Sequence, residues 1–227
     1  MIEIVSATRL PESEFWDRAA LGLSLRRLAQ DERLVPRIAY ANRRGLPEVF
    51  NARIDAPGGH ELLVFMHDDV WIDDDAFAQR VLGGLRAFDV IGVAGNRRRV
   101  ARQPSWVFVE NAGDRFRVDD RANLSGAVAH GKESRGEIVH YGPAPAACEL
   151  LDGVFLAANK PALAASGVRF DVRFEFHFYD LDFCRRARER GLRLGTWPIR
   201  LTHQSDGAFA TAAWRDGYRA YLEKWKD

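Results

Sequence analysis

The run Glu61-Leu-Leu-Val-Phe-Met66 constrains the fold more than any other stretch of the chain. A compact apolar run of this kind is the signature of a strand covered on both faces. A second one, Asp89-Val-Ile-Gly-Val-Ala94, follows a helical stretch whose apolar stripe is Phe77, Val81, Leu85 and Phe88. Buried strands alternating with amphipathic helices imply an α/β protein built on a parallel sheet. The upstream elements agree. Ile2–Ala7 reads as a strand, Ser13–Gln30 as a helix with Leu21, Leu25 and Leu28 on one face, and Leu46–Ile54 as a short helix. Leu34–Ala41 reads as a strand weakened by Pro36. Asp73, Asp74 and Asp75 read as the opening of the next helix, where carboxylates suit the positive end of the macrodipole.

From Asn96 to Ala147 the helical period is lost. Scattered Gly and Pro, short alternations such as Trp106-Val-Phe-Val, and the basic run Arg97-Arg-Arg-Val-Ala-Arg102 suggest hairpins and loops elaborating the sheet. The α/β pattern returns at Glu149–Asn159. A helix over Tyr179–Arg190, ended by Gly191, a strand over Leu192–His203 and a closing helix over Thr211–Lys224 complete the chain. No linker or repeat interrupts 1–227, so one domain is expected.

The 227 residues carry 33 basic and 32 acidic side chains, a net charge of +1, and 47% of them are hydrophobic. That balance excludes a disordered chain and gives no global reason to expect nucleic-acid binding. Cys148 and Cys184, with no CxxC, read as reduced thiols. The N-terminus lacks the features of a signal peptide, and no apolar run approaches the ~20 residues of a membrane span. A cytoplasmic protein is expected, acting on any membrane from the aqueous side or through a partner.

Four segments could carry chemistry. His67-Asp68-Asp69 follows the carboxyl end of the Glu61–Met66 strand, where open α/β sheets bind ligands. Adjacent carboxylates there fit a divalent cation bridging to phosphate, or a solvated acidic turn. His177-Phe-Tyr-Asp-Leu-Asp182 sets two carboxylates at a helix start, either as helix caps or with Asp180 as a partly desolvated general base. His203, in Leu201-Thr-His-Gln-Ser-Asp-Gly207, is either a structural histidine or a ligand from a separate segment. Asp152-Gly153 fits a turn or a close approach of substrate to backbone. Arg97, Arg98, Arg99 and Arg102 fit a solvated face or an anion contact, and Trp71, Trp106 and Trp197 fit core packing or ring stacking. There is no GxGxxG after the first strand, Walker A, HExxH, GxSxG or zinc spacing.

In order and spacing, these segments resemble the GT-A-fold, family-2-like glycosyltransferases that use nucleotide sugars. The most specific match is Phe170-Asp171 … His177-Phe-Tyr-Asp-Leu-Asp182 followed by an Arg-rich helix, which is similar to a subgroup with an aromatic-Tyr-Asp-x-Asp motif. Asn42-Arg-Arg-Gly-Leu-Pro-Glu-Val-Phe-Asn51 resembles the segment ahead of that family's metal motif. The resemblance implies a single, mixed, mostly parallel sheet flanked by helices, Rossmann-like. Residues 1–95 would be its nucleotide-binding half and 96–227 its acceptor side, with 96–147 the elaboration. It implies that Asp69 and His203 hold Mn²⁺ or Mg²⁺, and that Ser6, Thr8, Arg9, His67 and Asp68 meet the nucleotide. His67 stands where the family usually has Asp. Asp152, Gly153 and Asp182 would lie by donor sugar and acceptor, and Asp180 would take the acceptor proton in an inverting displacement. The implied partners are a nucleotide-diphosphate sugar and a glycan or lipid-linked glycan acceptor. Surface-polysaccharide synthesis, and peripheral association with the inner face of a membrane, belong to the same expectation. The competing reading is a non-catalytic nucleotide-sugar or glycan-binding module. A sugar-1-phosphate nucleotidyltransferase fits less well, because Thr8-Arg-Leu-Pro-Glu-Ser13 lacks glycine.

Overall fold

A computed structural model describes residues 1–112, 115–205 and 207–227. In chain order its elements are β1 (Ile2–Ala7), α1 (Glu12–Arg18), α2 (Ala20–Arg27), β2 (Leu34–Ala39), α3 (Leu46–Asp55), β3 (Leu62–Met66), β4 (Val70–Ile72) and α4 (Phe77–Ala87). Then come β5 (Val90–Gly92), β6 (Ala94–Asn96), β7 (Phe108–Ala112), β8 (Arg115–Val118), β9 (Leu124–His130), β10 (Glu137–Gly142), β11 (Ala146–Ala147) and β12 (Leu150–Leu151). The chain closes with β13 (Phe155–Asn159), α5 (Lys160–Ser166), α6 (Tyr179–Glu189), β14 (Leu194–Thr196), β15 (Leu201–His203) and α7 (Ala212–Trp225).

The main sheet has seven strands in the order β11-β14-β5-β13-β3-β1-β2. β1 lies parallel to β2 and β3, and β5 to β14, while β13 runs antiparallel between β3 and β5. It is the mixed α/β sheet flanked by helices that the resemblance implies, whereas the apolar runs alone pointed to a parallel sheet. α3 packs on β1 and α4 on β13, which is why Val64, Phe65, Leu156 and Ala157 are all buried. Pro36 is tolerated because β2 is an edge strand.

A second sheet, β12-β6-β9-β15-β4 with β10 also on β9, stands beside the first. Three long elements expected from the sequence are each cut to build it or to brace it. The Ser13–Gln30 helix breaks at Ala19, which is extended (φ −78°, ψ 138°). Gly22 lies against the preceding turn so closely that a Cβ would sit 2.2 Å from the Phe15 carbonyl oxygen. The freed Leu21 N–H donates to the Asp68 carbonyl at 3.1 Å and braces the acidic turn. The Asp89–Ala94 run passes from one sheet to the other at Val93, whose carbonyl accepts from Ala127. The Leu192–His203 run divides around Trp197-Pro-Ile-Arg200, where Pro198 has no N–H for a ladder.

Asp73–Asp75 do not begin α4, which starts at Phe77. Asp74 accepts from the Ala76 N–H, Asp75 pairs with Arg27, and Asp73 accepts from the Thr202 hydroxyl (2.5 Å) and the Arg135 N–H (3.1 Å). Residues 96–147 form two hairpins, β7–β8 and β9–β10. Cys148 and Cys184 are buried free thiols. Among the described residues no helix is long and apolar enough to cross a membrane.

Candidate active site

The turn between β3 and β4 carries His67, Asp68 and Asp69 to the junction of the two sheets. β15 lies against β4, with His203 opposite Val70, and β9 places His130 opposite His203. The site's other wall is the start of α6. Its first residue, Tyr179, is buried and donates its hydroxyl proton to the Gly153 carbonyl at 2.8 Å. A phenol has one proton, so at its 2.9 Å contact with His67 Nε2 the oxygen accepts. That fixes His67 with its proton on Nε2 and its lone pair on Nδ1. Burial, reinforced by the neighbouring His203, lowers the His67 pKa and keeps the ring neutral, against the pull of Asp69, Asp152 and Asp68.

Nδ1 of His67 lies 3.9 Å from Oδ1 of Asp69, a buried oxygen without a hydrogen-bond partner among the described residues. Two lone-pair atoms thus face each other across a gap. The other Asp69 oxygen is 3.4 Å from His203 Nε2. Burial alone would raise the Asp69 pKa, but the His203 hydrogen bond and the two imidazoles outweigh it and hold the carboxyl below its usual range. One ligand atom from each of His67, Asp69 and His203 falls within 4.8 Å of the others. Two imidazoles and a carboxylate, with opposed lone pairs and an orphaned oxygen, fit a divalent cation.

Asp180 belongs to the first turn of α6, two residues after Phe178, whose backbone is left-handed (φ 66°). That conformation is strained for a non-glycine residue. It sets the helix start hard against Gly153, where a Cβ would lie 2.6 Å from the Tyr179 hydroxyl and 2.8 Å from Asp180 Cβ. The Asp180 carboxylate accepts the Gly153 N–H at 3.1 Å. Burial and the like charge of Asp152 nevertheless push its pKa up to about 7, with only backbone N–H groups opposing them. A carboxyl in that range is suited to general-base work near neutral pH.

His67, Asp69, Asp152, Gly153, Asp180 and His203 line one cavity of about 520 Å³. Asp182, Asp68, Ser6, Thr8 and Arg9 are not among its lining residues. Asp182 is fully buried on the opposite side of α6, bound by Lys224 (2.6 Å) and the Trp225 indole N–H (2.9 Å) of α7. Asp68 turns toward the Thr8 hydroxyl, which opposes the rise in pKa that burial imposes. Ser6 and Thr8 are buried at the end of β1, and Arg9 is exposed beside them. Arg98 pairs with buried Asp119 and Arg99 with Asp227, and Trp197 packs on Gly83 and Gly84. Trp106 does reach the cavity, as do Ser205 and Gly207. Asp206 lies outside the described residues.

The sequence reading missed His130, which lines the cavity with a buried Nδ1 that has no hydrogen-bond partner among the described residues. Its only signal is its place at the end of an alternating run, Leu124-Ser-Gly-Ala-Val-Ala-His130. A larger cavity, about 720 Å³ and bordered by Arg80, Arg135 and Arg200, contains none of the metal-ligand candidates.

No protein-family model matches the sequence, and no curated protein sequence does. Solved structures do match. Over 96% of its length the chain follows the catalytic domain of a Drosophila β1,4-galactosyltransferase 7 in complex with xylobiose, covering 79% of that chain at 10% identity and a TM-score of 0.52. Over 98% of its length it follows a GalNAc-T7 structure with UDP, GalNAc and Mn²⁺, covering 47% of that chain at 10% identity and a TM-score of 0.53. The chain has the GT-A fold of these glycosyltransferases.

Proposed function

We propose that the protein is a glycosyltransferase that moves a sugar from a nucleotide-diphosphate donor to an acceptor hydroxyl with inversion at the anomeric carbon. One observation carries this reading: ligand atoms of His67, Asp69 and His203 gather within 4.8 Å of one another in a cavity that also holds a carboxyl whose pKa is raised to about 7. A fold shared with a structure that holds UDP, GalNAc and Mn²⁺ supports it.

On this reading His67, Asp69 and His203 hold Mn²⁺ or Mg²⁺, which when bound offsets charge on the leaving diphosphate. Tyr179 keeps the His67 lone pair aimed at the site. Asp180 removes the acceptor proton, and the Gly153 N–H holds its carboxylate in place. Asp152 disfavours a second negative charge beside it and so keeps Asp180 basic. Asp182 supports the base from behind by fixing α6 against α7. Ser6, Thr8, Arg9 and Asp68 border the nucleotide from the β1 side. The acceptor is a glycan or a lipid-linked glycan, and surface-polysaccharide synthesis is the setting in which we place it.

The test is thermal stability with UDP, GDP or TDP, each with and without Mn²⁺, on the wild type and on Asp69→Asn. A ligand bound at 100 times its Kd stabilises by about 2.7 kcal/mol. One nucleotide should raise the melting temperature only with Mn²⁺ and only when Asp69 is intact. No response to any of them would sink the reading.

A further inference from the structure

The cavity has a second arm with different chemistry. Beyond Asp180 it is walled by Trp106, Phe108, Val118, Phe209 and Trp214, contributed by the β7–β8 hairpin, the loop before it, the segment leading into α7 and the first turn of α7. None of these side chains is charged, and only the indole N–H groups can hydrogen-bond. The neighbouring Ser105 hydroxyl oxygen already accepts from the Val107 and Phe108 N–H groups. Phe209 links the rings, 5.3 Å from Phe108 and 6.4 Å from Trp214 between centroids, with Phe116 behind them, while Trp106 meets Tyr141 of the same cavity edge-on at 4.7 Å.

The mouth of this cavity is open and apolar. Val118 (52%), Phe176 (50%) and Phe209 (39%) are exposed and line it, and they are three of the seven large apolar side chains exposed among the described residues. Scattered apolar exposure needs no explanation, but its convergence on one opening does. A sugar lying there would find few partners for its hydroxyls, which would lose hydration without compensation. A ring or hydrocarbon would gain by leaving water.

We infer that the acceptor is amphipathic: the hydroxyl presented to Asp180 belongs to a molecule whose adjoining group is apolar and seats in the Trp106–Phe209 arm. This rests on the proposed transferase reading and adds the class of acceptor to it. The two sources of such a group, an aromatic ring and an alkyl chain, are separable by experiment.

The experiment measures, by calorimetry or saturation-transfer NMR, binding of matched methyl, phenyl and octyl glycosides of glucose, galactose, mannose and N-acetylglucosamine. It uses the full chain with Mn²⁺ and the best-binding nucleoside diphosphate, and octyl glycosides below their micellar concentrations. For at least one sugar, the phenyl or octyl form should bind about tenfold or more tightly than the methyl form, a difference of about 1.4 kcal/mol. Phe209→Ala and Val118→Asn should each reduce that ratio at least threefold while leaving nucleotide binding unchanged. A phenyl preference alone assigns an aromatic acceptor, and an octyl preference alone a hydrocarbon-bearing one.

Ratios within about twofold for every sugar, undetectable binding of all phenyl and octyl forms, or ratios unmoved by both substitutions would overturn the inference. Nucleotide binding reports on the transferase reading separately. If a nucleotide binds with Mn²⁺ and the ratios are flat, that reading survives without the apolar acceptor. If no nucleotide binds yet the ratios hold, the arm is an apolar-ligand site on a protein that is not a nucleotide-sugar enzyme.

Discussion

One side of α6 turns Asp180 into the cavity, and the other seals Asp182 against α7. Burial raises the pKa of both carboxyls. Around Asp182 the fold supplies a cation, Lys224, and an indole N–H from Trp225. Around Asp180 it supplies a second carboxylate, Asp152, and backbone N–H groups. A buried charge given a partner fixes an interface. A buried charge denied one is kept at a cost to stability and left able to exchange a proton near neutral pH. The two sides of one helix therefore differ in kind, one fixing α6 to α7 and the other presenting to the cavity a carboxyl that titrates near neutral pH.

The largest contrast is expected in turnover. Asp180→Asn should lower sugar transfer by about 10²–10⁴-fold, the usual contribution of a general base, with nucleotide binding little changed. Asp182→Asn should leave transfer within a few-fold of wild type and lower stability instead. Initial-rate assays beside calorimetric titration of the nucleotide measure both. Equal losses of turnover in the two variants would erase the division.

Next comes the stability of the sealed side. Lys224→Met leaves Asp182 buried without its cation. Removing one partner of a buried pair costs about 3–5 kcal/mol. Lys224 keeps a side-chain exposure of 22%, so a loss near the lower end is expected in urea denaturation. Metal and nucleotide binding by the folded fraction should be unchanged.

A pH series sharpens the comparison further. The folded pKa of Asp180, about 7, lies above its unfolded value near 3.8. Its favourable contribution is therefore complete below about pH 4 and is lost as pH rises through 7. Between pH 5 and 8 the wild type should lose about 3 kcal/mol relative to Asp180→Asn. Transfer should rise over the same interval as the base ionises. A constant stability difference between the two proteins across that range would mean that the carboxyl titrates elsewhere.

The sequence reading set both Asp180 and Asp182 at the substrate, although residues two apart on a helix point about 200° apart and so face different surroundings. The strand Leu62–Met66 was legible from its apolar run, and the His-Asp-Asp just after it stood out as candidate ligands, with a solvated acidic turn left as the alternative. His203 was legible as a candidate, but nothing local distinguishes a ligand histidine from a structural one, and only the resemblance gave it the ligand's role. His130 stayed hidden because its neighbour His203 lies seventy-three positions away, across a parallel pairing of β9 and β15 that no local pattern encodes. The break at Ala19 was illegible for a related reason. Gly22 and the Asp68 carbonyl cause it through contacts, while the Leu21–Leu25–Leu28 stripe on its own suggests one continuous helix.

The smallest expected effect belongs to Tyr179, the residue through which α6 reaches the metal-ligand candidates. Tyr179→Phe removes one hydroxyl and keeps the ring that packs on Phe50 and Phe170. His67 Nε2–H then loses its acceptor and the Gly153 carbonyl loses its donor. The imidazole is free to change tautomer and place a proton, in place of a lone pair, toward Asp69. Groups that orient a ligand in this way typically contribute 10–100-fold to metal affinity. Mn²⁺ binding, followed by the paramagnetic relaxation of water protons, should weaken by an amount near the lower end of that range, because Asp69 and His203 are untouched. Phe cannot accept from His67, so no conservative rescue exists at this position. A Tyr179→Phe protein with wild-type Mn²⁺ affinity would mean that α6 contributes the base alone, and that the His67 tautomer is set by something other than the first residue of the helix.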